Sequence, residues 1–273
     1  MTQNLNFALL NRWADHLLPV VLEAGKAILE VRARGVVVTT KADASPVTEA
    51  DQAAEAIILP HLESFTPAFP VVAEERIAAG LIPALTRSEF WLVDALDGTK
   101  EFIKGGDDFT VNIALVYDGV PVFGIVHAPV RKETYIGVIA ADARRAEIWR
   151  DGVRTPISVR PRPKQVVITG SKSHEVPEKM DPFLANYDVL EKKVIGSSLK
   201  FCLVASGVAD LYPRFGPRAN GTPAPATPWC ARLVDAFIRS TAKNFSIASR
   251  TSSTEHSSRT QVRDHTGVAY KHC

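Results

Sequence analysis

The chain has 273 residues, 46% of them hydrophobic and 23% charged, with a formal net charge of +2. That balance describes a globular protein of one or two domains and excludes a fibrous or disordered chain. No run approaches the roughly 18 uncharged apolar residues of a membrane span, no secretory pattern opens the chain, and Cys202, Cys230 and Cys273 lack metal or disulfide spacing, so a cytoplasmic protein is expected.

Leu17, Val21, Ala24, Ile28 and Val31 recur at helical spacing and predict an amphipathic first helix. Residues 49–62 predict a second, with Thr48 and Asp51 at capping-box spacing and Ala53, Ala54, Ile57 and Ile58 as its apolar stripe. β-prone runs follow at 69–73, 90–93, 110–117, 120–127 and 134–139, with Asp118-Gly119 as a hairpin turn. Such closely spaced strands behind two helices predict a mixed sheet with helices on a face. A further α/β unit begins near Gln165, with a strand at 166–169 and an apolar helix-like run from Gly196-Ser197-Ser198-Leu199-Lys200 to Ala209.

The chemistry concentrates in Trp91-Leu92-Val93-Asp94-Ala95-Leu96-Asp97-Gly98-Thr99, an apolar strand running into two carboxylates and a glycine turn. Carboxylates at a strand end point into the cleft where α/β sheets place ligands, and hard cations such as Mg2+ take oxygen ligands of this kind. Asp-x-x-Asp-Gly also occurs in ordinary turns, so this segment by itself leaves both readings open. Val71-Val72-Ala73-Glu74-Glu75 is a second apolar strand ending in acids, and like charges converging in a cleft call for a cation.

Glu74-Glu75 followed by this nine-residue segment resembles the two-part signature of the lithium-sensitive phosphatases of the inositol monophosphatase superfamily. Lys100-Glu101-Phe102-Ile103 and the upstream Lys41-Ala42-Asp43-x-Ser45-Pro46-Val47-Thr48-x-Ala50-Asp51 resemble its bacterial 3′(2′),5′-bisphosphate nucleotidases in particular. The resemblance runs to about Pro217, and Ala95 stands where the family has proline. It implies an α/β (α+β) layered sandwich of alternating helices and sheets. The implied organisation is an α+β metal-binding domain over 1–160, a shortened α/β domain over 161–217 and a poorly ordered basic tail over 218–273.

It also implies a site. Glu74, Asp94, Asp97 and the Leu96 carbonyl would hold two or three Mg2+ ions, and Gly98 and Thr99 the phosphate. Asp51 and Thr99 would activate water with help from Glu74, while Lys41, Ser171, Ser198, Lys200 and Arg214 would contact a small phosphorylated nucleotide. The implied reaction is release of the 3′-phosphate of adenosine 3′,5′-bisphosphate or its sulfated form, in sulfur assimilation and nucleotide recycling. Inositol phosphates and sugar bisphosphates are the alternative substrates, an impaired copy of the enzyme is another reading, and attachment to the inner face of the membrane is the alternative to a freely cytoplasmic location.

Residues 218–273 hold eight basic and three acidic residues, leaving 24 and 27 before them, so the body carries −3 and the tail +5. A basic tail can mark a nucleic-acid binder, but strand-end carboxylates repel a polyanion, and no nucleic-acid partner is expected. The family continues with Ser-Glu-Trp-Asp, whose aspartate is a further metal ligand, where this chain has Arg218-Ala219-Asn220-Gly221-Thr222-Pro223. A change of reading frame near Arg218 accounts for this, because permitted codons read from the last base of the first one give Ser-Glu-Trp-Asp-Thr-Gly-Ala-Gly-His-Ala. A native gene sequence without such codons would exclude it.

Overall fold

Strands without polar alternation need cover on both faces, and the architecture supplies it in layers. The computed structural model describes residues 5–40, 46–84, 88–161, 163–171 and 177–213. The elements run α1 (Phe7–Arg34), β1 (Val38–Thr40), β2 (Pro46–Thr48), α2 (Glu49–Phe65), β3 (Val71–Ala73), α3 (Glu74–Ala78), β4 (Phe90–Asp97), α4 (Thr99–Ile103) and β5 (Thr110–Tyr117). They continue with β6 (Val120–Ala128), β7 (Glu133–Ile139), β8 (Arg144–Arg150), β9 (Val153–Pro156), β10 (Gln165–Gly170), α5 (Pro177–Leu184), β11 (Asp188–Val194) and α6 (Leu199–Ala205). Among the described residues, no helix is long and apolar enough to cross a membrane.

Strands β3 to β9 form one seven-stranded sheet in sequence order. The β3–β4 pair is parallel and the other pairs antiparallel, so the sheet is mixed as the strand spacing predicts. On one face Leu17, Val21, Ala24 and Ile28 of α1 and Ala54, Ile58 and Leu62 of α2 pack on Trp91, Val93, Ile113, Leu115, Phe123, Ile125 and Val138. Trp91 anchors this layer, donating its indole N–H to Thr66 Oγ1 at 2.7 Å and meeting Phe123 edge-on. The opposite face carries Val126, Ala128, Tyr135 and Ile148 against Leu199, Cys202 and Leu203 of α6 and Val167 of β10.

Beyond α6 lies a two-stranded parallel sheet, β10 with β11. Its far side meets Leu184, at the end of α5, through Val166 and Ile168. Helices, sheet, helix, sheet and helix thus alternate, the layered α/β sandwich expected from sequence. Helix α1 starts ten residues before Leu17 and continues through Pro19, its buried stripe including Leu10, Trp13 and Ala14. Strands β8, β9 and β11 and the short helices α3, α4 and α5 have no counterpart in the sequence reading.

His127 lies on the helix-facing side of β6, its Nδ1 2.9 Å from Thr134 Oγ1. Gly25 of α1 makes room for the ring, since a Cβ there would stand 2.6 Å from it. Burial lowers the His127 pKa from 6.5 to about 4, against a backbone hydrogen bond with Glu133 that raises it. Between those values the unfolded chain binds a proton that the folded chain does not, so stability present above pH 6.5 is lost as pH falls toward 4. Urea denaturation should show a loss of about 3 kcal/mol over that window from this residue, and His127→Gln should flatten that part of the profile.

Candidate active site

Alternation along a strand sends residues three apart to opposite faces, yet Asp94 pairs with Asn112 and Asp97 with Thr110, two positions apart on β5. The register shift between Asp94 and Asp97 is a bulge with one extra residue on β4, and it turns both carboxylates toward the same face. Ala95 and Leu96 are buried within the bulge and join the α1–α2 core. Gly98 then takes φ +98°, and a Cβ there would meet the Asp108 carbonyl at 2.8 Å. Glycine at this position therefore lets the chain turn into α4 against β5.

Asp51 lies in the first turn of α2, 3% exposed. The capping box is present: Asp51 Oδ2 accepts from the Thr48 amide at 2.7 Å and from Thr48 Oγ1 at 2.8 Å. Its Oδ1 faces the Thr99 hydroxyl at 3.4 Å, and that hydroxyl lies 3.1 Å from the Leu96 carbonyl. The capping role expected of Asp51 thus occupies Oδ2, while Oδ1 faces the Thr99 hydroxyl.

Glu74 opens α3, whose N-cap, Ala73, has no side chain to offer. Glu55, one turn beyond Asp51 on α2, accepts instead from the amides of Glu75 at 3.1 Å and Arg76 at 3.2 Å. Burial pushes the Glu55 carboxyl up from the usual range, the two amides and the Arg76 charge pull it down, and the Glu74 charge pushes it up. Glu55 was not singled out in the sequence; its signal is an acid among the buried positions Ala54, Ile58 and Leu59.

The second layer reaches this strand end through residues 196–200. The Ser198 amide donates to Asp97 Oδ2 at 2.5 Å, and the Gly196 amide to Asp108 Oδ2 at 3.1 Å. Lys200 donates to the carbonyls of Ser197 at 2.6 Å and Ile195 at 3.4 Å, with its ammonium 5.5 Å from the Tyr212 ring centroid. Burial pushes the Asp97 carboxyl up; the Lys200 charge and the Ser198 amide pull it down, and Glu74 and Glu101 push it up again. Ser171 follows the last residue of β10 and is half-buried. Lys41 and Arg214 lie outside the described residues, as does the tail.

Oxygen donors in this arrangement suit a hard divalent cation. Among the described residues no three His, Cys, Asp or Glu side chains converge tightly enough to enclose one, but the half-buried Asp97 sits in the combined field of Glu74 and Glu101. That is the electrostatic situation a cation relieves, and the chemistry of these oxygen donors suits one.

Residues 10–229 match the inositol monophosphatase family. The chain belongs to that family. The match passes Pro217, where the sequence resemblance was expected to stop, by twelve residues. The chain is 47% identical over 208 residues to the 3′(2′),5′-bisphosphate nucleotidase CysQ of Salmonella typhimurium, covering 74% of this chain and 80% of that one. It is 45% identical, with the same coverage, to the CysQ of Escherichia coli strain K12. Among solved structures it resembles CysQ from Bacteroides thetaiotaomicron, a bacterial member of the inositol monophosphatase family, with a TM-score of 0.63 and 32% identity over 84% of this chain and 86% of that one. Divalent-metal dependence goes with the family.

In Asp97→Asn the amide oxygen can still accept from Ser198 while the charge is gone. Because burial and the Glu74 and Glu101 charges disfavour the charged form, this variant should melt higher than the unaltered chain in chelator. Added Mg2+ should then raise its Tm far less than that of the unaltered chain, as thermal melts can measure.

Proposed function

We propose that the chain is a Mg2+-dependent phosphatase that hydrolyses the 3′-phosphate of adenosine 3′,5′-bisphosphate to AMP and phosphate, and acts likewise on the 5′-phosphosulfate form. The observation that carries this is the bulged end of β4, where Asp94 and Asp97 share a face beside the Asp51–Thr99 pair. Similarity to nucleotidases named CysQ favours the bisphosphorylated nucleotide over inositol phosphates. Such an activity belongs to nucleotide recycling during sulfur assimilation, in the cytoplasm.

Two or three Mg2+ ions held by Glu74, Asp94, Asp97 and the Leu96 carbonyl would neutralise phosphoryl oxygens, lower the pKa of water and stabilise the leaving alkoxide. Gly98 and Thr99 lie at the start of α4, where their backbone and hydroxyl donors would hold the phosphate. Asp51, fixed on Oδ2 by Thr48, keeps Oδ1 toward Thr99 and would accept the hydroxyl hydrogen in place of the Leu96 carbonyl. The Thr99 oxygen is then turned to accept a hydrogen bond from the attacking water, whose proton passes toward Asp51 with Glu74 alongside. The new bond joins water oxygen to phosphorus as the bond from phosphorus to the 3′-oxygen breaks; that oxygen takes a proton from solvent water and leaves as the ribose hydroxyl, and Asp51 returns its proton to solvent. Lys41, Ser171 and Arg214 are assigned to the nucleotide, and Lys200, whose ammonium donates to the carbonyls of Ser197 and Ile195, to the charge balance at Asp97 rather than to the ligand contact the resemblance implies for it.

The test is phosphate release from adenosine 3′,5′-bisphosphate with Mg2+, with and without Li+, for this chain and for a version read in the restored frame from Arg218. Release should require Mg2+ and be inhibited by Li+, and the restored version should be faster because it regains a carboxylate. Asp51→Asn should lower kcat by about 10²-fold or more in either version. Release from inositol 1-phosphate but not from the nucleotide would replace the substrate assignment.

A further inference from the structure

We infer that Ser198 is a positioning residue that presents the Asp97 carboxylate to the cation, in place of the nucleotide contact that the family resemblance implies for it. The inference rests on the metal-dependent reading above and adds to it a link between the two sheet layers. Ser198 is 4% exposed, and its polar groups are engaged toward the first layer. Its hydroxyl donates to Asn112 Oδ1 at 2.9 Å. That uses its one hydrogen, so in the 2.8 Å contact with Thr110 Oγ1 the threonine is the donor. Its amide donates to Asp97 Oδ2 at 2.5 Å.

The three partners belong together. Asn112 and Thr110 are the residues on β5 that pair with Asp94 and Asp97 across the bulge. Ser198 therefore bonds to both β5 residues that oppose the acids and to one of the acids itself. The loop before it is clamped as well. Gly196 donates to Asp108 and packs so closely that a Cβ would stand 2.9 Å from Asp108 and 3.0 Å from Glu101. Ser197 takes φ +49°, a left-handed conformation uncommon for a residue other than glycine, asparagine or aspartate. The turn at Ser197 aims the Ser198 amide at Asp97, and the hydroxyl bonds to β5 keep it there.

An amide on Oδ2 leaves Oδ1 as the oxygen Asp97 offers to a cation and removes the rotational freedom the side chain would otherwise lose on binding. Outer partners that orient metal ligands are worth tenfold to a hundredfold in affinity. Loss of the Ser198 hydroxyl should let the loop drift and weaken cation binding while leaving nucleotide binding at saturating metal in place.

The experiment is a Mg2+ titration of the melting temperature of the full chain without substrate, for the unaltered protein, Ser198→Ala and Thr110→Val. Thr110→Val deletes the hydroxyl that bonds Ser198 while keeping its shape, and it decides the matter if Ser198→Ala fails to fold. The Mg2+ concentration giving half of the stabilisation should rise about tenfold in Ser198→Ala and less in Thr110→Val, with the nucleotide KM at saturating Mg2+ within twofold of the unaltered value. An unchanged Mg2+ midpoint with a raised KM would make Ser198 a substrate contact and overturn the inference. An unchanged midpoint with only a lower metal-free Tm would reduce it to a structural residue. Absence of Mg2+ stabilisation in the unaltered chain would remove the metal-dependent reading and the positioning role with it, whereas a Mg2+ response without nucleotide hydrolysis would leave the positioning role standing and the substrate assignment overturned.

Discussion

One extra residue in β4 governs the arrangement of the site. Without the bulge, Asp94 and Asp97 would point to opposite faces, one of them into the apolar packing against α1 and α2, where a carboxylate has no counterpart. With it, Ala95 and Leu96 take the core positions and both acids face the second layer. The consequence is a buried Asp94 and a half-buried Asp97 on one face, with Glu74 and Glu101 adding to the negative field at Asp97. The described structure offsets this with the Ser198 amide and the Lys200 charge. Lys200 can be buried because the carbonyls of Ser197 and Ile195 take its hydrogens. The α6 layer is therefore part of the electrostatics of the first sheet as well as its cover.

Helix α2 supplies the other half. Asp51 and Glu55 are four residues apart and so lie on one helix face, each held by backbone amides of a neighbouring turn. Asp51 reaches across to Thr99, while Glu55 fixes the first turn of α3 and with it the place of Glu74. A helix face that would ordinarily be apolar carries two buried acids because the strand ends it overlies expose amide and hydroxyl donors. Each acid satisfies donors that would otherwise be buried without acceptors.

Much of the fold was legible because its central strands are apolar on both sides, so that segments such as Phe90–Asp97 and Thr110–Tyr117 stand out whichever face is counted. Strand β8 did not stand out. Its sequence Arg144–Arg150 alternates, but Glu147 lies on a buried face and is neutralised by Arg145 and Arg154, which makes a strand look like a solvated charged run. Strand β11 shows mostly exposed side chains and lacks the apolar signal altogether. The predicted stripe of α1 begins at Leu17, whereas Leu10, Trp13 and Ala14 extend it by two turns toward Phe7. In the site, the identities of the acids were readable from strand ends and motif spacing. Their common face was not, since it depends on pairing with β5.

The loop at 196–200 shows why polar residues near a site are hard to assign from sequence. Serine and lysine there match positions that a phosphorylated ligand would want, and Lys200 carries the charge for it. Both are nearly inaccessible, and both bond to the protein: Ser198 to Asp97, Thr110 and Asn112, Lys200 to the carbonyls of Ser197 and Ile195. A buried carboxylate requires partners whether or not a ligand is bound, and a strand bulge that gathers two of them requires those partners from outside its own sheet. The polar residues of α6's first turn answer that requirement first. Ordinary foldability would favour apolar residues at such depth, so their polarity reflects the concentration of negative charge that cation-assisted phosphate chemistry needs.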